Sequence, residues 1–313
     1  MKALRHLLAL GLLLGITLPG QADEPLNVVT TTTIAADLVE DLAGNRAEVT
    51  SLMGTGIDPH DYRATQGDIR RLREADVVVY HGLNLEARLT RALEEIGRNK
   101  PVIVLSEAVP ENEIIEVDGE PDPHVWMSPR SWMHVVRGTE KALAELMPDH
   151  AFEIEGNRIR LITQLTAMDQ DLRSQFGVIP RAERVLVTAH DAFNYLARDF
   201  DLDVFALQGL SSASEVGLKD IQRIRDLVIE RDVRAVFLES SVSPRAVEAL
   251  QKGLRESGHE VRIGGELYSD SLGPVNTPAE HYVGMMQHNA RTITEALRGD
   301  LIEQAPPEAV ENP

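Results

Sequence analysis

Residues 149–176, DHAFEIEGNRIRLITQLTAMDQDLRSQF, form a central segment that contains no proline and a single glycine, Gly156. Its large apolar residues recur at three- and four-residue intervals, the spacing of one face of an α-helix. A continuous helix over this segment would be about 42 Å long at 1.5 Å per residue, long enough to run along two domains. The alternative is a pair of shorter helices that break near Gly156. The apolar positions of the stripe are Ile162, Leu165, Met168, Leu172 and Phe176.

Short runs of β-branched and other apolar residues lie on both sides of this segment. Helix-period stretches separate them, for example at 34–43, 68–74 and 85–96. Apolar strands that alternate with helices are typical of parallel sheets covered on both faces. We therefore predict an α/β fold with two parallel-sheet lobes, each of about four strands with flanking helices, joined by one long backbone helix. The predicted strands are 27–31, 49–53, 77–80, 102–105, 185–188, 204–207, 235–238 and 261–263.

The first residues of the chain have the three zones of a secretory signal peptide. Lys2 and Arg5 supply a positive start, residues 7–18 are apolar, and PGQA at 19–22 offers small residues for cleavage. The apolar run is shorter than the roughly 20 residues of a membrane-spanning helix; the alternatives are an uncleaved anchor or a buried helix. We expect a periplasmic protein with no lipid anchor, because the chain has no cysteine to carry one. The predicted organisation is a signal peptide at 1–22, an N-terminal lobe at 23–148, a linking helix at 149–177 and a C-terminal lobe at 178–313.

The composition excludes several classes of function. Lys and Arg total 31 against 50 Asp and Glu, a formal net charge of −19 among 313 residues. Such a field repels phosphate, which argues against nucleic acid and anionic membranes as partners and is compatible with a cation as ligand. The absence of cysteine removes disulfides, thiolate metal sites and cysteine nucleophiles.

Three histidines and one aspartate form a candidate metal site. The triplet Asp-Pro-His occurs twice and ends at His60 and at His124. Proline stiffens the backbone, so each imidazole is presented from a rigid loop. His190 follows the strand 185–188, and Asp270 comes shortly after the strand 261–263. Residues just past the carboxyl ends of parallel strands face the ligand crevice, so we expect all four in a cleft between the lobes.

Three imidazoles and one carboxylate suit a divalent first-row ion. Zinc accepts nitrogen and oxygen ligands in a tetrahedral shell, whereas a bidentate Asp270 would raise the coordination number and admit manganese or iron. For each residue alone, the alternative is a capped or solvated loop residue. The neighbouring Asp58, Asp122 and Asp191 are candidates to accept hydrogen bonds from the imidazole rings.

Two further residues near the crevice have open roles. His81 follows the strand 77–80 and lines the crevice or is a loop residue. Glu239 ends the strand 235–238 and is either a hydrogen-bond acceptor for a ligand or an ion-pair partner. Trp126 and Trp132 are expected in the core beside His124.

Six motifs together resemble the zinc- and manganese-binding substrate-binding proteins of ABC importers, and most closely their TroA-type periplasmic members. The resemblance covers essentially the whole chain after the signal peptide. It implies two α/β lobes on one backbone helix, with His60, His124, His190 and Asp270 as metal ligands. It also implies capture of zinc or manganese as cargo and its delivery to a permease and ATPase at the inner membrane. The motifs are GTGIDPHDY at 54–62, DPHVW at 122–126, TAHDAF at 188–193, QGLS at 208–211, FLESS at 237–241 and GGELYSDSLG at 264–273.

The chain departs from its relatives at two places that bear on the metal. Manganese-specific members carry glutamate at the third ligand position, where this chain has His190, which favours zinc or mixed selectivity. Many zinc-specific members have a long histidine-rich loop before the second ligand, whereas the stretch here is short and acidic. That stretch is either a solvated loop or a weak collector of cations. Its acidic residues are Glu111, Glu113, Glu116, Asp118, Glu120 and Asp122.

Three functions compete for such a site. We favour a binding protein, and we expect it to be a monomer. Four protein ligands fill the coordination shell of the metal, which suits transport of the ion better than catalysis. The alternatives are a metal-dependent adhesin or periplasmic metal chaperone, and a zinc hydrolase. A hydrolase needs an open coordination position and a base, for which Glu239 is the one candidate. Because the ion must be released, we expect the loop around Asp270 to be mobile. This loop is flanked by Gly264, Gly265 and Gly273.

Overall fold

The computed structural model describes residues 24–214 and 216–298. The predicted signal peptide at 1–22 lies outside the described residues. The first half of the described chain contains a four-stranded parallel sheet in the order β2-β1-β3-β4. A small antiparallel hairpin follows it. The strands are β1 Leu26–Thr30, β2 Ala47–Ser51, β3 Val77–Tyr80 and β4 Val102–Val104, with β5 Glu116–Val117 and β6 Glu120–Pro121 in the hairpin. The helices are α1 Thr33–Ala43, α2 Gln66–Glu74, α3 Thr90–Gly97 and α4 Pro129–Leu146.

The predicted long helix is confirmed as α5, which runs without a break from Ala151 to Gly177. The two-helix alternative is wrong, because Gly156 lies inside it. The helix contacts α1 and α4 from the first half of the chain and also the final helix, α9 Tyr282–Arg298. Its buried stripe differs from the predicted one in one turn, where Leu161 is buried and Ile162 is only half-buried.

The second half repeats the α/β plan. Strand β7 pairs with β8 and β9 pairs with β10, all in parallel, and β7 lies alongside β9. All eight predicted strands are present, which confirms two parallel-sheet lobes joined by a long helix. The strands are β7 Val185–Thr188, β8 Asp203–Ala206, β9 Ala235–Glu239 and β10 Arg262–Leu267, and the helices before α9 are α6 Asn194–Phe200, α7 Leu218–Glu230 and α8 Arg245–Glu256.

One predicted helix is shorter than its sequence pattern indicates. The apolar period over 85–96 predicts a helix, yet α3 begins only at Thr90. Leu83 and Asn84 adopt left-handed backbone angles, with φ of 48° and 65°, after Gly82 at φ 84°. Turns therefore occupy the first part of the segment, although their leucines are still buried.

The largest apolar cluster spans both lobes. It extends from Val28 and Leu38 in the first lobe through α5 to Phe237 and Met285 in the second. Two smaller clusters lie within single lobes. The two lobes therefore share one continuous apolar core. Within residues 24–214 and 216–298, no helix combines the length and the apolar character needed to cross a membrane.

Candidate metal centre

The structure brings all four predicted residues to one point. One potential ligand atom from each of His60, His124, His190 and Asp270 lies within 4.8 Å of each of the others. The ring centroids of the three histidines are 5.2–5.6 Å apart. All four side chains are buried, and His60, the most accessible, is 4% exposed. Nε2 of His60 and Nε2 of His124 are 3.2 Å apart, so these two nitrogens point at the same space.

His124 is oriented by its own Asp-Pro-His triplet. Oδ1 of Asp122 accepts from the backbone N–H of His124 at 2.9 Å and is 2.7 Å from Nδ1 of the ring. Asn194 and Tyr195, from α6 in the other lobe, hold Asp122 through its Oδ2 and its backbone carbonyl. Because Nδ1 is engaged, Nε2 is the nitrogen left for the centre. The prediction that Asp122 binds the ring of His124 is confirmed.

His190 has a different partner from the one predicted. Oε2 of Glu239, at the end of β9, is 2.6 Å from Nδ1 of His190. Oε1 of Glu239 accepts from the backbone N–H groups of Ala189 and His190 at 2.8 and 2.9 Å. The structure combines the two roles left open for Glu239: it accepts from the ring of His190 and forms an ion pair with that ring when the ring is protonated. Asp191, expected there from its position in the sequence, does not take this place, because Glu239 is bound to Nδ1.

His60 is held through its backbone. Oδ1 of Asp58 accepts from the backbone N–H of His60 at 2.8 Å, and its Oδ2 accepts from the hydroxyl of Ser212 in the other lobe. The prediction that Asp58 binds the ring is wrong, because Asp58 engages the peptide group. The Asp-Pro-His turn therefore ties the position of His60 to both lobes.

Two buried atoms at the centre lack a hydrogen-bond partner within the described residues: Nε2 of His190 and Oδ1 of Asp270. Unpaired buried polar atoms are costly unless they bind something else. Asp270 lies between two rings, with Oδ1 3.6 Å from Nε2 of His124 and Oδ2 3.3 Å from Nε2 of His190. Three ring nitrogens and a carboxylate oxygen are a donor set suited to a divalent first-row metal.

The charges at the centre reinforce one another. Burial lowers the pKa of His60 to about 3, so its ring stays neutral and keeps a lone pair at neutral pH. Although burial opposes both shifts, His190 holds the pKa of Asp270 well below its usual range, and Glu239 and Asp270 raise the pKa of His190 well above its ordinary value. An incoming cation would displace the proton that the ring of His190 carries.

His81 lies behind the centre and is not part of it. Its Nε2 is 2.7 Å from the hydroxyl oxygen of Thr32, and its ring packs on Trp126 with centroids 4.6 Å apart. Trp126 in turn packs on His124 at 5.2 Å. The prediction that both tryptophans pack in the core beside His124 is confirmed for Trp126, whereas Trp132 is equally buried but stacks on Tyr282, with ring centroids 5.3 Å apart.

The acidic stretch before His124 has exposed, half-buried and buried members, and the half-buried Glu113 forms an ion pair with Arg130 at 2.8 Å. Glu111, Glu116, Asp118 and Glu120 are exposed, as expected of a solvated loop. Asp122 is fully buried against His124 and belongs to the centre.

An open cavity of about 520 Å³ lies beside the centre, between the lobes. Asp58 and Asp61 line it from the first lobe, and Ser212, Ser241 and Arg245 are among the lining residues of the second. Ser241 also reaches the centre, because its hydroxyl is 3.3 Å from Oδ2 of Asp270. The motif FLESS at 237–241 contains Ser241, but nothing in the sequence indicates that its hydroxyl reaches Asp270, 29 residues further along the chain.

Comparison with known proteins places this arrangement among metal-binding proteins. A family model described as ZnuA, zinc-uptake complex component A, periplasmic, matches residues 28–296. Manganese-binding lipoprotein MntA of Bacillus subtilis is 44% identical over 279 residues, which cover 88% of this chain and 91% of MntA. Zinc-binding protein TroA of Treponema pallidum is 38% identical over 296 residues, which cover 93% of this chain and 96% of TroA. The solved structure of periplasmic TroA from Treponema pallidum matches with a TM-score of 0.86 at 37% identity, covering 88% of this chain and 99% of that structure.

Proposed function

This chain belongs to the family of zinc-uptake complex component A, and from that premise we propose that it is the periplasmic substrate-binding protein of an ABC importer. It captures a divalent transition metal, zinc or manganese, and delivers it to a membrane permease and its ATPase. The observation that carries the proposal is the convergence of three imidazoles and one carboxylate, from four distant segments, within 4.8 Å.

The proposed ligands are His60, His124, His190 and Asp270. The two unpartnered atoms at the centre and the two carboxylates behind the rings of His124 and His190 support this assignment. Each carboxylate accepts from Nδ1, so the metal-binding nitrogen of these two rings is Nε2. Three nitrogens and one oxygen favour zinc, while one relative is named for zinc and another for manganese.

The protein carries its metal and does not use it in catalysis. Four protein ligands leave no coordination position for an attacking water in a tetrahedral shell. Glu239, the one candidate for a base, has both oxygens engaged by Ala189 and His190. We therefore do not expect hydrolase activity.

The organisation of the chain follows from the same function. We propose a cleaved signal peptide at 1–22, lobes at 23–148 and 178–313 and a linking segment at 149–177, with a monomer in the periplasm. The position of α5, Ala151–Gly177, supports the linking segment. One relative is by name a lipoprotein, so an unanchored form cannot be carried over from the family. For this chain it stays a prediction that rests on the absence of cysteine.

Titration calorimetry of the purified protein with Zn²⁺ and Mn²⁺ tests the proposal. His60→Ala, His124→Ala and His190→Ala should each weaken zinc binding by on the order of a hundredfold or more, because structural zinc sites divide some 10–16 kcal/mol among four ligands. Asp270→Ala should cost more for manganese than for zinc, since oxygen donors matter more to the harder ion. His259→Ala, outside the centre, should bind like the wild type. Unchanged affinity in any of the three histidine variants would remove that residue from the ligand set.

Growth under metal starvation tests import. A strain that lacks the protein should grow poorly in chelated medium and recover when zinc or manganese is added. An adhesin would give no such metal-dependent defect, and equal growth of both strains would contradict import.

A further inference from the structure

The two carboxylate oxygens of Asp270 have different surroundings. Oδ1 has no hydrogen-bond partner among the described residues and is 3.6 Å from Nε2 of His124. Oδ2 also faces the centre, 3.3 Å from Nε2 of His190, but in addition it accepts a long hydrogen bond of 3.3 Å from the hydroxyl of Ser241. The side chain of Asp270 is 1% exposed, so bulk water does not even out this difference.

Ser241 belongs to a chain of two hydroxyls. Its oxygen is 3.0 Å from the hydroxyl oxygen of Ser269. Ser241 has a single hydroxyl hydrogen, so when it donates to Asp270 the hydroxyl of Ser269 must donate to Ser241. Ser269 is fully buried, and its backbone carbonyl accepts from Nε1 of Trp126 at 2.7 Å. The donor that faces Oδ2 is thus fixed by groups from both lobes.

We propose that Ser241 is a specificity-determining residue for the metal. By donating to Oδ2, its hydroxyl competes with the ion for that oxygen, which favours binding of the ion through Oδ1 alone and so a four-coordinate shell. The inference rests on the proposed function, because it needs the four residues to be ligands. Zinc accepts four ligands in a tetrahedral shell, whereas manganese takes more oxygen donors in an octahedral one. A carboxylate held to one oxygen therefore selects zinc over manganese.

The surroundings of Ser241 decide which variants give a clear answer. Ser241 is half-buried and lines the cavity of about 520 Å³ beside the centre. Alanine would leave space for a water molecule that could take over the hydrogen bond. Valine and threonine have the same shape, and of the two only threonine keeps the hydroxyl. The cavity offers room for the added methyl group in both.

The test compares Ser241→Val with Ser241→Thr. The ratio of the Kd for Mn²⁺ to the Kd for Zn²⁺ is measured by competition with a chelator, and X-ray absorption counts the oxygen ligands of Mn²⁺ in the loaded protein. We expect the valine variant to lower the ratio about tenfold, the size of effect typical of groups behind a ligand, and to gain one oxygen ligand. The threonine variant and the control Ser243→Ala, in the same loop, should match the wild type.

Two results would overturn the proposal. One is a valine variant with the ratio and oxygen count of the wild type. The other is an equal change in the valine and threonine variants, which would assign the effect to packing. If the wild-type protein binds neither ion, the proposed function itself fails. Titration of the wild type alone shows this, so it is distinguished from a failure of the proposal about Ser241.

Discussion

Two of the histidine rings are each held by one carboxylate, and both are held in the same way. Asp122 and Glu239 each accept from the Nδ1 and from the backbone N–H of one histidine, His124 and His190 respectively. Binding both groups fixes the ring relative to its own peptide, because turning either imidazole breaks its Nδ1 bond to a carboxylate that the backbone N–H holds in place. His60 lacks such a carboxylate on its ring, since Asp58 binds only its backbone N–H. The three imidazoles of the proposed centre are therefore unequally held, because no carboxylate binds the ring of His60 through Nδ1.

Glu239→Gln should weaken zinc binding about 10- to 100-fold, the range found when partners behind metal ligands are changed. Glutamine can still accept hydrogen bonds from the backbone N–H groups of Ala189 and His190. The substitution removes the negative charge that makes Nε2 of His190 a stronger electron-pair donor to the metal. Competition titration with a chromophoric zinc chelator measures the change. Glu248→Gln, an exposed position on α8, is the matched control. Equal zinc affinity in the two variants would show that Glu239 does not act on the metal through His190.

His81 should make the metal-free protein less stable in acid. Burial lowers the pKa of His81 from 6.5 to about 3, so the folded protein leaves the ring neutral while the unfolded chain protonates it. The native state then binds fewer protons, and stability falls as the pH drops from about 6.5 towards 3, by at most about 1.4 kcal/mol per pH unit from this group. Urea unfolding of the wild type and of His81→Gln at several pH values should give a shallower slope for the variant. Parallel slopes would contradict the assignment.

The sequence predicts the residues that converge at the proposed centre better than it predicts the groups that orient them. His60 and His124 could be recognised because each ends an Asp-Pro-His triplet, and a pattern of three adjacent residues is visible in a sequence. The partner of His190 is Glu239, 49 residues away on another strand, and only the pairing of the sheet brings the two together. Adjacency suggested Asp191 for that role and was misleading. Ser241 could not be predicted for the same reason.

At the scale of elements, apolar stripes predicted the helices but not all of their ends. In α5 the cost of Gly156, about 1 kcal/mol relative to alanine, is smaller than the gain from packing a stripe that reaches from Ile154 to Phe176. Over 85–96 the apolar pattern predicted a longer helix than the structure has. Leucines in turns are buried as well as leucines in a helix, so periodicity alone cannot locate the start of α3 at Thr90.

Gly284, in the first turn of α9, should not tolerate a side chain. A Cβ at this position would lie 1.8 Å from the carbonyl oxygen of Pro278, in the turn that leads into the helix. Gly284→Ala must therefore displace backbone, and we expect the free energy of unfolding to fall by about 3 kcal/mol or more. Urea denaturation measures this loss.

Gly156→Ala provides the control in another helix. A Cβ there meets nothing within 4 Å, so alanine should raise the free energy of unfolding by up to about 1 kcal/mol through helix propensity. Similar effects at both positions would mean that the contact with Pro278 does not constrain α9.

At the scale of the whole molecule, the lobes are tied together independently of any ion. Asp37 of α1 accepts from Nδ1 of His281 at 2.7 Å and from the backbone N–H of Tyr282 at 2.8 Å, at the start of α9. The hydroxyl of Tyr282 donates to the carbonyl of Trp126 at 2.6 Å, and the largest apolar cluster spans both lobes. Wide separation of the lobes would break all of these contacts. Loading and release therefore call for local movement near the centre.

The Asp270 loop is the segment where that movement is predicted, and its mobility stays a prediction. Groups from the first lobe hold it here: the backbone N–H of Gly56 donates to the hydroxyl of Ser271 at 2.8 Å, and the backbone N–H of Leu272 donates to the hydroxyl of Thr33 at 2.9 Å. The two-lobe plan could be predicted from strand count and the long central segment. These ties between lobes could not, because they depend on which faces meet after folding.

Zinc should stabilise the whole molecule, because its ligands come from both lobes and no shared site exists in the unfolded chain. Binding to the native state alone adds about 4 kcal/mol when free zinc exceeds its Kd a thousandfold. For a chain of this size, that gain raises Tm by on the order of 10 °C, and a chelator should reverse it. Calorimetric scans with and without Zn²⁺ measure the shift, and His124→Ala is the variant that should lose it. An equal shift in the wild type and in His124→Ala would place the stabilising zinc elsewhere on the protein, since His124 supplies one of the nitrogens on which the proposed site depends.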